Sequence, residues 1–198
     1  MHLVLGSDAG VAAWVAQRIP QMQSDDPANA FGPCIGVGVA SEDGKPLGGV
    51  IFHDWQPRFK TVQASFASDS HRWLTRRIIV GILSIPFDQW GCQRINALTP
   101  KRNKAARKFL DTFGFKREGA CALGFGDDDA IISGLLKRDW IKSRWMVPPR
   151  HKPAIGLGCE DQTNGTPSLG DQRPGSLSDR IEGIVPNGQA GTTSTNAG

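Results

Sequence analysis

A cluster of basic side chains surrounds Asn103, at the predicted start of an amphipathic helix. Positive charge is unfavourable at a helix N-terminus, where the backbone dipole is itself positive, unless an anion offsets it. Two kinds of anion would do so, the phosphates of a bound cofactor and a nucleic acid. The alternative is that Asn103 only caps the helix and the basic residues form a solvated face. The cluster consists of Lys101, Arg102, Lys104, Arg107 and Lys108.

Few side chains are candidates for a general base or acid. His53 lies in a strand-like run, and its ordinary pKa of about 6.5 suits a base near neutral pH. A lone histidine in such a run is more often a hydrogen-bonded structural residue, so both interpretations stand. The chain contains no tyrosine, and no phenol is therefore available for acid-base or nucleophilic chemistry. The other candidates are Asp54, Asp69, His71 and the run Asp127–Asp129, which is typical first of a hairpin turn and second of metal or substrate binding.

Hydrophobic spacing and turn signals define the elements that must position these side chains. A short strand is predicted at 2–6, followed by a helix that begins at Ser7 or Asp8 and ends at Pro20. The polar loop 21–33 that follows is of the kind that borders substrate sites. Three antiparallel strands are then predicted at 34–41, 47–55 and 61–68, because the turns between them are short.

Two further helices and three further strands complete the predicted order. A long buried helix is expected from a cap at residues 68–70 to about Trp90, with a kink at Pro86 and a stop at Gly91. The next helix begins at the predicted cap Asn103 and ends at Gly114 in the left-handed conformation. The strands are predicted at 94–99, 115–123 and 130–136. This order predicts an α/β fold with a mixed, mostly antiparallel sheet of six or seven strands that is flanked by helices.

Composition separates a body from a tail. The 198 residues carry a net charge of +4, and every aromatic residue lies between Trp14 and Trp145. Residues 149–198 are rich in Gly, Pro, Ser and Thr, so we predict a domain at 1–148 and a flexible tail behind it. The tail could present a short docking helix to a partner, with an apolar stripe formed by Leu177, Ile181, Ile184 and Val185.

The spacing of the cysteines and the lack of long apolar runs indicate the cellular compartment in which the protein is expected. The four cysteines lie far apart and without metal-ligand spacing, which argues against a disulfide framework and against a metal site. No apolar run approaches the length of a membrane span or of a signal-peptide core. We therefore expect a protein of the reduced cytoplasm that has no membrane partner.

Behind the strand predicted at 94–99 come Asn103, Ala106, Phe109, the pair Gly114–Phe115 and the pair Glu118–Gly119. This series is similar to the second half of a GNAT-type N-acetyltransferase. In that family a strand is followed by an Asn, an Ala, an aromatic residue, a Gly-Phe pair and a Glu-Gly pair in this order. The resemblance covers roughly residues 2–140. More narrowly, the run 72–76 and the Pro86–Phe87 pair resemble GNAT-like proteins encoded by tailed bacteriophages.

The resemblance implies a site for acetyl-coenzyme A. In the family, a strand splays from its parallel neighbour and the next helix points its free N–H groups at the pyrophosphate through a glycine-rich turn. Ser70, Trp73 and Thr75 stand at the positions of that turn and depart from its pattern; the Trp73 indole would either block the turn or cover it. Phe109 stands where many relatives have the tyrosine that protonates the departing thiolate. The implied cofactor-binding residues are Phe66, Ala67, Ser70, His71, Arg72, Trp73, Leu74, Thr75, Asn103 and Arg107.

The resemblance also implies a reaction, the direct transfer of an acetyl group from acetyl-coenzyme A to a primary amine, with His53 as the candidate catalytic residue. The acceptor, a small molecule or a protein, would lie between the loop 21–33 and the last hairpin. The alternative is a phage-encoded GNAT-like protein without activity that serves in assembly or in the virion and binds partners through its tail. A second basic stretch at 137–152 would suit nucleic acid, but packing explains its tryptophans better.

Overall fold

A computed structural model describes residues 1–70 and 73–147 of the chain, and in that part seven strands and four α-helices are present. The strands are β1 (His2–Val4), β2 (Cys34–Ala40), β3 (Pro46–Gln56), β4 (Thr61–Ser68), β5 (Arg94–Pro100), β6 (Lys116–Cys121) and β7 (Ala130–Leu136). The helices are α1 (Asp8–Ala16), α2 (Arg76–Ser84), α3 (Lys104–Phe113) and α4 (Lys137–Trp140).

The seven strands form one mixed sheet in the order β1-β2-β3-β4-β5-β7-β6. Every neighbouring pair is antiparallel except β4 and β5, which are parallel and are connected through α2. Strand β7 pairs with both β5 and β6 and therefore separates these two strands, which run in the same direction. The predicted class, a mixed and mostly antiparallel sheet flanked by helices, is confirmed.

The parallel pair β4–β5 is joined over only part of its length. Their ladder covers Thr61–Gln63 of β4 and Arg94–Asn96 of β5, whereas the strands continue to Ser68 and Pro100. Backbone groups beyond the ladder have no partner across this pair, so the two strands diverge. A gap consequently opens in the middle of the sheet, between the C-terminal halves of β4 and β5.

Apolar side chains cover both faces of the sheet. Helices α2 and α3 bury one face in a cluster that includes Ile79, Ile82 and Leu110. Helix α1 buries the other face through a smaller cluster around Val15 and Ile51. Because successive residues of a strand point to opposite faces, each strand at the gap presents side chains to both sides.

Helix α1 is shorter than predicted and is not capped as predicted. It ends at Ala16 instead of continuing to Pro20, and Ser7 at its N-cap makes no side-chain cap bond. The Asp8 carboxylate instead accepts a 2.8 Å hydrogen bond from the Gly36 backbone N–H, which ties the helix start to β2. Pro20 begins a short 3-10 turn that lies beside the gap.

The predicted start of α2 at residues 68–70 is wrong. Ser68 is the last residue of β4, and the helix begins at Arg76 behind Thr75, whose Oγ1 accepts a 3.3 Å hydrogen bond from the Ile78 N–H. The cause is Trp73, which is drawn into the core before the helix can start. Its indole lies against Gly48, and a Cβ atom there would overlap the ring.

The predicted disturbance at Pro86 is confirmed. Beyond Ser84 the helix widens into a π-helical turn over Ile85–Gln89 that contains the proline. Pro86 has no N–H to donate, so the regular α-helical ladder cannot continue through it. Gly91 then leaves the helical direction with φ +66°.

Some predictions concern residues outside the described part of the chain. They are the tail at 149–198 with its docking helix, and the two cofactor candidates His71 and Arg72. In the described ranges, no helix has both the length and the apolar character that crossing a membrane requires.

Candidate active site

A cavity of about 520 Å³ occupies the gap between β4 and β5. The diverging halves of the two strands form its floor, and the first half of α3 forms one wall. The segment after α1 and the tip of the last hairpin approach it from outside. The lining comprises Gln63–Ser68, Ala97–Pro100, Asn103, Ala105, Ala106, Phe109 and Leu110, together with Arg18–Met22, His53, Trp73 and Phe125.

The wall on the α3 side is aromatic. Phe109 meets Phe66 edge to face at 5.6 Å between ring centroids, and it stacks on Trp73 at 6.1 Å with 10° between the ring planes. Trp73 is 2% exposed and belongs to the core that α2 and α3 cover. The indole therefore supports the cavity wall from the core side, and it is held there by Gly48 and Phe109.

Thr99 contributes a buried hydroxyl to the same cavity. The residue is 7% exposed, and its Oγ1 has no hydrogen-bond partner in residues 1–70 and 73–147. Leaving a buried hydroxyl unsatisfied costs about 1–3 kcal/mol, so a ligand group that reached this hydroxyl would remove that cost. Sequence reasoning missed Thr99, because a threonine in a strand is ordinary and only the splay of β4 from β5 leaves this one at a cavity.

The wall on the α1 side holds a histidine and a serine in contact. His53 Nε2 lies 3.0 Å from Ser65 Oγ, and both residues line the cavity. The Phe31 ring lies 5.3 Å from the imidazole and covers it. Burial lowers the pKa of His53 below its usual value, and this effect exceeds the opposing influence of the Asp54 carboxylate. His53 is thus poised as a neutral imidazole, and Ser65 was missed by the sequence.

The outer rim on the α1 side is held by an ion pair. Arg18 binds Asp69 through two hydrogen bonds of 2.8 and 2.7 Å, and its guanidinium lies 3.6 Å above the Trp14 ring. Met22 from the loop 21–33 and Phe125 from the last hairpin complete this rim. The loop and the hairpin that were predicted to border the acceptor thus both reach the cavity.

Comparison with known proteins identifies this architecture. No protein-family model and no curated protein sequence matches the chain. Mutant forms of the spermidine/spermine N-acetyltransferase SpeG from Vibrio cholerae superpose with a TM-score of 0.58 at 13% identity, over 71% of this chain and 98% of that one. A ribosomal-protein-alanine acetyltransferase from Vibrio fischeri superposes with a TM-score of 0.53 at 19% identity, over 70% and 93%. The chain has the GNAT fold.

The residues implied by the GNAT resemblance fall into two groups. His53, Phe66, Ala67, Trp73 and Asn103 line the cavity, whereas Ser70, Leu74, Thr75 and Arg107 are not part of its lining. Thr75 has a structural role as the cap of α2, and Arg107 has a buried Nε without a partner among the described residues. The cavity therefore brings together the strand residues Phe66 and Ala67 with His53, Trp73 and Asn103.

Asn103 is the N-cap of α3, as predicted. Its Oδ1 accepts a 3.0 Å hydrogen bond from the Ala106 N–H, and the residue also lines the cavity. Gly114 ends the helix in the left-handed conformation at φ +92°. Asn103 therefore caps the helix at the edge of the cavity.

Part of the basic cluster before α3 has protein anions as partners. Lys101 Nζ lies 2.9 Å from Asp129 Oδ2, and Arg102 lies 2.7 Å from Asp127 Oδ2. The hydrogen bond from Arg102 lowers the pKa of the Asp127 carboxyl, and that from Lys101 lowers the pKa of Asp129. Asp128 accepts a 2.9 Å bond from the Arg102 backbone N–H. The hairpin carboxylates thus neutralise these two cations and fix the loop that carries Phe125.

The aromatic residues of the second basic stretch pack against the domain, as predicted. Trp140 is 2% exposed and stacks on Phe87 at 6.5 Å, and Trp145 stacks on Phe113 at 5.2 Å. The Trp145 indole N–H also donates a 3.3 Å hydrogen bond to the Thr112 carbonyl in the last turn of α3. Since both rings are engaged within the domain, they are not free to stack on nucleic-acid bases.

Proposed function

We propose that the chain is an acyltransferase that moves an acetyl group from acetyl-coenzyme A to a primary amine by direct attack. The observation that carries the proposal is the cavity between the splayed strands. Its α3 side has the Thr99 hydroxyl, which has no partner among the described residues, and its α1 side has the His53 imidazole. A site that opens to both faces of a sheet suits two reactants that meet in the middle.

The residues on the α3 side of the cavity fit the pantetheine arm of acetyl-coenzyme A. The arm carries amide and thioester carbonyls, which accept hydrogen bonds, and the buried Thr99 hydroxyl is a donor without a partner in the described chain. The aromatic wall of Phe66 and Phe109 would cover its apolar parts. When bound, acetyl-coenzyme A supplies the acetyl group as an activated thioester.

His53 would act on the acceptor side as the base that removes a proton from the amine. Its lowered pKa keeps the imidazole neutral near pH 7, which is the form that can accept a proton. Phe109 cannot donate a proton to the departing sulfur. That loss is tolerable, because a thiol with a pKa of about 8.5 leaves readily near neutral pH and water can protonate it.

A second candidate function is favoured by Trp73 and Phe109. A stacked aromatic pair replaces two features of the expected site, the glycine of the turn and the tyrosine on α3. A GNAT-like protein that serves as an assembly module, such as one from a bacteriophage virion, would need neither feature. On that alternative, the chain would not be a cytoplasmic enzyme but a protein that binds partners through its surface or tail.

The test measures amine-dependent release of the coenzyme thiol together with the mass of the acetylated amine. The acceptor panel contains a polyamine, a peptide with a free α-amino group and a peptide whose only amine is a lysine. We expect release with at least one acceptor and a loss of most of it in His53→Gln. A protein that neither binds acetyl-coenzyme A nor turns over any acceptor would instead favour the assembly module.

A further inference from the structure

The Ser65 hydroxyl contacts the His53 imidazole in the wall of the cavity. We propose that Ser65 is a catalytic residue that relays a proton from the acceptor amine to His53. The proposal rests on the function proposed above and extends it, because it assigns a proton path to the acceptor side of the cavity. It begins from the 3.0 Å contact between Ser65 Oγ and His53 Nε2.

The register of the sheet brings these two side chains together. His53 of β3 stands opposite Gln63 of β4, and Ser65 lies two residues further along the same face. Both side chains line the cavity on the face that α1 covers. The Phe31 ring packs against the imidazole and limits its rotation. The pair is thus held by two strands and a packed ring.

Ser65 is the one hydrogen-bond partner of the His53 imidazole within residues 1–70 and 73–147. Asp54 follows His53 in sequence, but it has φ +53° and its carboxylate accepts a 3.1 Å bond from Gln56 Nε2. Cys34 pairs with His53 across the β2–β3 ladder, and burial raises the pKa of its thiol, so it stays neutral.

Arg18, a charged residue elsewhere in the cavity lining, already has a partner. Arg18 lines the same cavity, and its guanidinium is bound by the Asp69 carboxylate in a two-bond ion pair. His53 therefore faces a hydroxyl, a thiol and an aromatic ring on the elements packed against it, with Asp54 on its own strand as the nearest carboxylate.

This arrangement limits how a proton can reach His53 Nε2. The nitrogen is occupied by the Ser65 hydroxyl, which can donate one hydrogen bond and accept others. In the transfer, the amine nitrogen forms a bond to the acetyl carbon while the carbon–sulfur bond breaks. The amine proton passes to Ser65 Oγ as the Ser65 proton passes to Nε2. The thiolate takes a proton from water, and the imidazolium returns its proton to the hydroxide that this leaves. Ser65 stays unmodified and no further reactant is needed.

The relay makes a prediction about the resting protein that needs no turnover. Ser65 must donate to an unprotonated Nε2, so the neutral imidazole must carry its proton on Nδ1. Nitrogen NMR of the full-length protein with ¹⁵N-labelled histidine distinguishes the two tautomers. Among the four histidines, the His53 signal is the one that disappears in His53→Gln. An Nδ1–H tautomer supports the relay. An Nε2–H tautomer, with Ser65 as the acceptor, would overturn it.

The kinetic test compares Ser65→Ala, Ser65→Thr and the control Ser84→Ala, whose hydroxyl bonds the Gly81 carbonyl within α2. We expect Ser65→Ala to lower kcat roughly tenfold or more without changing the Kd of acetyl-coenzyme A. Ser65→Thr should restore most of kcat, and Ser84→Ala should behave as wild type.

A wild-type kcat in Ser65→Ala, or an acetyl group found on Ser65, would overturn the relay while leaving the proposed function intact. A wild-type protein that binds no acetyl-coenzyme A would instead refute the proposed function.

Discussion

At the scale of single residues, the two sides of the cavity hold different chemistry. The α3 side has a hydroxyl that no group in residues 1–70 and 73–147 bonds, among aromatic rings, and the α1 side has an imidazole in contact with a serine. His53 and Asn103 could be selected from the sequence, because a lone histidine and an N-cap asparagine carry recognisable signals. Ser65 and Thr99 could not, since strand register and the splay of β4 from β5 decide what they contact.

The lowered pKa of His53 predicts the pH dependence of catalysis. Burial disfavours the charged imidazolium, so the neutral base persists to a lower pH than in an ordinary histidine. The ordinary pKa of histidine is about 6.5, so the acidic limb of the kcat profile should have its midpoint below that value. The measurement is kcat against pH at saturating acceptor, and His53→Gln should remove the limb. A midpoint at or above the ordinary value would contradict the assignment.

Removal of the Thr99 hydroxyl should separate ligand binding from stability. Thr99→Val keeps the shape but deletes a donor that has no partner within the described chain, so the ligand-free protein should unfold at an unchanged or higher temperature. Its Kd for acetyl-coenzyme A should rise about three- to tenfold, the value of one neutral hydrogen bond. Thr99→Ser should bind like wild type. Equal affinity of all three proteins would show that the hydroxyl has no part in coenzyme binding.

At the scale of elements, local patterns predicted most boundaries and tertiary contacts shifted the rest. Strands β4 and β7 have the predicted bounds, because alternating apolar residues end there at clear turn signals. The start of α2 was misplaced since both residues 68–70 and Thr75 can cap a helix. The choice between them is made by Trp73 packing against Gly48, a contact between distant parts of the sequence that no local pattern reveals.

The contact between Trp73 and Gly48 can be tested by adding one methyl group. A Cβ atom at position 48 would overlap the indole, so Gly48→Ala must displace the ring or the strand. We expect the free energy of unfolding, measured with urea, to fall by about 1–3 kcal/mol. Gly119→Ala is the matched control, because a Cβ atom there meets nothing within 4 Å. Equal stability of the two variants would mean that the indole does not lie against Gly48.

At the scale of the whole molecule, one irregularity in the sheet connects the fold to the site. The β4–β5 ladder stops at Gln63 and Asn96, and the cavity begins where it stops. Helix α3 starts at the mouth of the gap behind the Asn103 cap, and the last hairpin is fixed there by Lys101 and Arg102. The sequence order predicted the sheet, but only the pairing of the strands shows where it opens.

The most direct measurement is calorimetric titration of the full-length protein with acetyl-coenzyme A, run in parallel on Asn103→Ser. Serine keeps the cap of α3 and deletes the amide at the cavity, so stability should hold while affinity falls. The account predicts saturable binding of one acetyl-coenzyme A per chain and a clearly weaker complex in the variant. Unchanged affinity in Asn103→Ser would restrict Asn103 to capping. Absence of binding to the wild-type protein at millimolar acetyl-coenzyme A would contradict the central claim that the cavity between β4 and β5 is a coenzyme site.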